Sequence, residues 1–134
     1  MRRVDTDVVA GQLVRISLVQ PVADEVIAGY DAPFPVPESR VGVAMFPELV
    51  ATGPEHPSAA AMLEVRDRLR TLDRPALVLF SAADPIFGRD AAEAMASLLP
   101  AAELDPPLEG AGHFLQEDRG EQIAARIAAW LRTS

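Results

Sequence analysis

"PALVLFSAADPIFG", Pro75 to Gly88, joins an apolar strand-like run to a polar turn and points to the architecture of the chain. Its first eight residues, "PALVLFSA", form a continuous apolar run bounded by Pro75 and the turn at Asp84. A short run that is apolar on both faces suits a strand buried inside a parallel sheet, where helices cover both sides. Working outward, "GRDAAEAMASLLP" reads as an alanine-rich helix that ends at Pro100. "AELDPPLEG" is a second strand, interrupted by Pro106 and Pro107, and "GEQIAARIAAWLR" closes the chain as a helix with Ile123, Ile127, Trp130 and Leu131 on one face. Upstream, "HPSAAAMLEVRDRLRTL" places Ala60, Leu63, Leu69 and Leu72 at roughly helical spacing, with Val65 one position out of phase. The order helix, strand, helix, strand, helix is that of an α/β protein on a parallel sheet.

The chain divides near Gly53. Before it, "VADEVIAGY" forms a short helix with Val22, Val26 and Ile27 on a face, and "DAPFPVP" cannot be helical, because each proline removes an N–H and restricts its predecessor. "ESRVGVAMF" resumes a helix expected to stop before Pro47. No strand is expected in this front third. Two parallel strands are too few for a stable open sheet, so the chain reads as the back part of a larger α/β domain.

Composition narrows the partners. Twelve basic against twenty acidic residues give a formal charge of −8, which disfavours nucleic acid and anionic membranes. No cysteine is present, so disulfides and thiolate chemistry are excluded. The two histidines, His56 and His113, show no zinc spacing, and no cofactor or metal is expected. The N-terminal "MRRVDTDVVAGQLVRISLVQ" lacks a continuous apolar core and a clear cleavage site, which points to the cytoplasm.

In open α/β sheets, functional residues gather in the loops at the carboxyl ends of the strands. Here those loops are "SAADPIFG", which offers Asp84, and "GAGHFLQED", which offers His113. One crossover separates them, and adjacent strands lie about 4.8 Å apart, so both side chains can emerge on one rim. An aspartate there holds an imidazole in one tautomer and stabilises its protonated form. Each residue also has a plainer reading. Asp84–Pro85 resembles a helix start, with an N-cap followed by proline, and His113 alone is equally a polar residue of a glycine turn. The common strand-end position favours the functional pair. His56 is expected at a helix start on the surface, and Trp130 in the core.

"AGYDAPFPVPESRVGVAMFPELV", "LFSAADPIFG" and "EGAGHFLQEDRGEQIA" together resemble the C-terminal half of the haloalkane dehalogenases. The branch that matches has its catalytic acid after the seventh strand. The resemblance runs from about Val22 to the end. It implies the C-terminal portion of an α/β-hydrolase fold: two parallel strands with flanking helices (53–134) behind the remainder of a helical cap (1–52). It also implies that His113 is the base activating water against an alkyl-enzyme ester, that Asp84 orients that base, and that Phe46 and Pro47 line the apolar pocket near the halide. The implied partner is a small apolar halogenated substrate, with no nucleic acid and no membrane.

The departures are informative. No Gly-x-[Ser/Asp]-x-Gly nucleophile elbow occurs, and the only tryptophan is Trp130, on the final helix. Arg40 stands where the family commonly has an aromatic residue. The chain therefore supplies a base and its acid without a nucleophile and is expected to be inactive alone. Asp84 and His113 suit an epoxide hydrolase or an esterase equally well, and a non-catalytic degenerate remnant is the reading from a different class. The unpaired strand edge is expected to drive self-association.

Overall fold

A computed structural model of the chain describes residues 9–133, so the first eight positions of the cap assignment, and the arginine pair at the N-terminus, lie outside the described residues. The described residues form two compact units. One comprises the stretch up to Ile16 and Val22–Val65, and the other comprises Ser17–Pro21 and Arg66 onward.

The first unit is helical, and among its described residues there is no strand. Helix α1 (Ala10–Ile16), which the sequence reading did not anticipate, packs against α2 (Asp24–Asp31). Gly11 makes the crossing: its N–H donates to Asp31 Oδ1 at 2.7 Å, and a Cβ there would lie 2.7 Å from the Ile27 side chain. Val14 and Ile27 are buried within this unit. After the Pro33–Pro37 segment, a 3-10 turn (Pro37–Arg40) leads into α3 (Val41–Met45). The helical path does not stop before Pro47. It tightens into a second 3-10 turn, Phe46–Leu49, because proline is tolerated in a first turn, where its missing N–H has no partner to lose.

Helix α4 (Ala59–Leu69) forms where the periodicity predicted, but its apolar stripe is not core. Met62, Leu63 and Val65 stay between 45% and 48% exposed, and Leu72 just beyond is 40% exposed.

In the second unit β1 (Ala76–Val78) and β2 (Ala102–Leu104) pair in parallel, with Leu77 opposite Glu103. Helix α5 (Arg89–Leu98) makes the crossover and packs on both strands. The second strand is short for the reason its sequence announces. Asp105 N–H donates to Val78 O, but the next pairing position is a proline. Register is recovered one residue late, when Leu108 N–H donates to Phe80 O at 2.9 Å. Two residues on one strand thus face three on the other, which is a bulge. Ser81 then bridges Leu108, and Ala82 N–H donates to Leu108 O, so the pairing resumes immediately below the two loops. Leu108 is wholly buried there.

Helix α6 (Leu115–Trp130) starts earlier than its periodicity suggested and leaves helical geometry at Arg119 (φ −142°, ψ 33°), just before Gly120. Trp130 is half-buried rather than core. With Ile123, Ile127, Leu77 and Leu79 it lines an open apolar groove of about 600 Å³. In β1 itself only Val78 is fully buried.

Candidate active site

The loop after β1 is shaped by Asp84 itself. Its Oδ1 accepts the N–H of Ile86 at 2.7 Å, which closes an Asx turn. Helix α5 begins only at Arg89, with Gly88 as its cap, so Asp84 is not the N-cap that the following proline suggested. Oδ2 remains for another partner. It meets His113 Nδ1 at 2.9 Å, across the resumed strand pairing. Two loops of unrelated sequence thus present one hydrogen-bonded pair at the carboxyl end of the sheet, at the position that open α/β sheets use for function.

The two side chains differ in exposure. The Asp84 side chain is 6% exposed and that of His113 is 28% exposed. Burial alone would raise the Asp84 carboxyl. The hydrogen bond from His113, the N–H groups of Ile86 and Phe87 and the charge of the imidazole outweigh burial and hold it below the ordinary aspartate value. It is therefore ionised at neutral pH and accepts, so Nδ1 carries the proton. Nε2 is then the basic atom, and it has no protein hydrogen-bond partner among the described residues. The ring is flanked by Phe87 (centroids 5.8 Å apart) and, edge-on, by Phe114 (5.5 Å). An imidazole oriented in this way, with a free nitrogen and apolar flanks, can take a proton from a water or from an acid and return it.

Two glycines permit the turn. Gly110 has φ +68°, a conformation that disfavours any side chain, and the Arg119 guanidinium lies where its Cβ would be. Gly112 brings the backbone against the carbonyl oxygen of Ser17, where a Cβ would collide. His113 N–H donates to that carbonyl at 3.0 Å. The sequence reading missed the segment that supplies it, Ser17–Pro21, and missed Asp118, which holds that segment. An aspartate in the first turn of a helix is ordinarily explained by the helix dipole, so the sequence carries no signal for its tertiary role.

The other predicted residues lie in the first unit. Phe46 is 71% exposed and Pro47 is exposed beside it, both in the second 3-10 turn. Arg40 donates from Nε to the carbonyl of Phe34 at 3.2 Å. His56 sits before α4, as expected, with Nδ1 accepting the N–H of Ser58 and Nε2 against the carbonyl of Glu48. A cavity of about 400 Å³ in the second unit, lined by Phe80, Arg89, Glu93, Asp105 and Pro107 among others, includes neither Asp84 nor His113. Among the described residues, no group of three or more acidic or histidine side chains is placed to hold a metal.

A parallel sheet with a crossover helix, a bulged second strand and an acid–imidazole pair at its carboxyl end defines a portion of an α/β-hydrolase fold. Known proteins narrow the class. The sequence is similar to a haloalkane dehalogenase of Mycolicibacterium paratuberculosis, 39% identical over 122 residues, covering 90% of this chain and 40% of that protein. The fold superposes on the haloalkane dehalogenase DatA of Agrobacterium tumefaciens C58 with a TM-score of 0.78 and 28% identity, over 91% of this chain and 42% of that one. It superposes on the haloalkane dehalogenase DbeA of Bradyrhizobium elkani with a TM-score of 0.81 and 26% identity, over 91% and 42%. No family model matches the chain. The resemblance to haloalkane dehalogenases thus holds in sequence and in fold, and the chain spans about 40% of the length of the curated relatives it matches.

Proposed function

We propose that this chain carries the base and its orienting acid of a haloalkane dehalogenase-type hydrolase. The observation that supports this best is the 2.9 Å bond between Asp84 and His113 Nδ1, which leaves Nε2 available. In the reaction, a carboxylate nucleophile displaces halide from carbon and forms an alkyl ester. His113 Nε2 then takes a proton from water as the water oxygen attacks the ester carbonyl; the bond from the carbonyl carbon to the alkoxy oxygen breaks, and the imidazolium returns the proton to that oxygen as the alcohol departs. Asp84 stabilises the imidazolium formed on the way. Phe46 and Pro47 contribute apolar surface to the substrate pocket, and residues 1–52 belong to the cap except for Ser17–Pro21, which group with the second unit. The substrate class is the small halogenated alkane.

The nucleophile is not among these 134 residues, because no elbow sequence occurs. The chain alone is therefore expected to release no halide from short bromoalkanes above the rate in buffer. Steady halide release that disappears in His113→Ala would overturn the division of labour proposed here.

A further inference from the structure

Asp118 is buried, at 8% exposure, and takes no part in the proposed reaction. Its Oδ1 accepts the N–H of Gln20 at 2.7 Å and that of Val19 at 3.1 Å. Its Oδ2 accepts the N–H of Gly112 at 2.7 Å and shares that of Val19. One carboxylate thus joins a strap almost a hundred residues away to the N–H of Gly112, the residue immediately before His113. Two other bonds close the same seam: His113 N–H to Ser17 O at 3.0 Å, and Gln20 Nε2 to the carbonyl of Gly110 at 3.2 Å. The missing Cβ of Gly112 lets the strap approach.

We propose that Asp118 is a positioning residue for His113. By bridging the Ser17–Pro21 strap to the Gly112 N–H, it fixes the backbone from which the imidazole reaches Asp84. The chemistry demands a short side chain with two acceptors. Asparagine offers one acceptor and one donor, so either the strap or Gly112 loses its bond. Glutamate is a methylene too long for the same seat. The proposal rests on the reading of Asp84 and His113 as an acid–base pair, and it concerns what holds that pair together.

The test is proton NMR of the full chain, following the low-field His113 Nδ1–H resonance and backbone amide exchange. In the unaltered chain, the amides of Val19, Gln20, Gly112 and His113 are expected to exchange at one common rate, because they open as one seam. Asp118→Asn is expected to speed exchange of the Nδ1 proton at least tenfold. Gly112→Ala, which changes no charge and removes no donor, is expected to do the same by displacing the strap. Asp105→Asn is the control. It breaks the 2.8 Å bond to Arg126 elsewhere in the unit and should lower stability while leaving the resonance unchanged. Unrelated amide rates in the unaltered chain, or a resonance that survives both seam variants while Asp84→Asn abolishes it, would overturn the role of Asp118 alone. A resonance that survives Asp84→Asn would overturn the acid–base pair and the proposal with it.

Discussion

At the scale of residues, the pair was legible because its two members occupy equivalent places. Each follows a strand, and a strand–helix–strand unit returns the chain to the same rim. The sequence could not show which hydrogen bond Asp84 would make. Asp-Pro reads as a helix start, yet one carboxylate oxygen closes an Asx turn and the other holds the imidazole. That division has a consequence for acid stability. The Asp84 carboxyl titrates lower in the folded chain than in the unfolded one, so between those two values the folded state binds fewer protons. The stability it contributes is therefore complete above a pH of about 4 and is lost as the pH falls through the folded value. Asp84→Asn is expected to cost about 1–2 kcal/mol at pH 7 and to lose less stability than the parent between pH 7 and pH 3. Urea titrations at both pH values measure this, and equal losses for the two proteins would contradict it.

At the scale of elements, periodicity located most helices and both strands. It failed where an element's partner is tertiary. The stripe on α4 has helical spacing, but Leu63 and Val65 remain about half exposed, because periodicity reports a face that wants cover and not whether cover is present. The same holds for Trp130, which borders an open groove, and for β1, whose apolar run is fully buried only at Val78. Helix α1 is not legible in the sequence, because its seven residues make only about two turns, too few for an apolar face to repeat. The strand bulge was signalled by Pro106 and Pro107, since a residue without an N–H cannot continue a ladder. Among the described residues the sheet has two strands, so the outer edge of β1 offers unpaired N–H and C=O groups beside apolar side chains. Such an edge recruits further strands. The chain is expected to self-associate through it in a concentration-dependent way, and sedimentation velocity reads this directly. A monodisperse monomer at every concentration would contradict it.

At the scale of the whole molecule, burial and comparison agree. Among the described residues seven apolar ones are buried (Val14, Ile27, Ala59, Val78, Ala92, Leu108 and Ala111), while Phe46, Leu49, Val50, Met62 and Ile86 are all near or above half exposure. The relatives the chain matches are more than twice as long. No helix among the described residues is long and apolar enough to cross a membrane, so a bilayer-spanning helix does not explain the exposed apolar surface. We propose that His113, held by Asp84, is the base of a dehalogenase-type reaction whose nucleophile lies outside these residues. The most direct measurement replaces the 122 matching residues of the Mycolicibacterium paratuberculosis haloalkane dehalogenase with those of this chain and follows halide release. The chimera is expected to turn over. His113→Ala in the chimera is expected to release about one equivalent of halide and then stop, because the ester forms without the base and is not hydrolysed. A folded chimera that releases no halide, or a His113→Ala chimera that turns over at the parent rate, would contradict it.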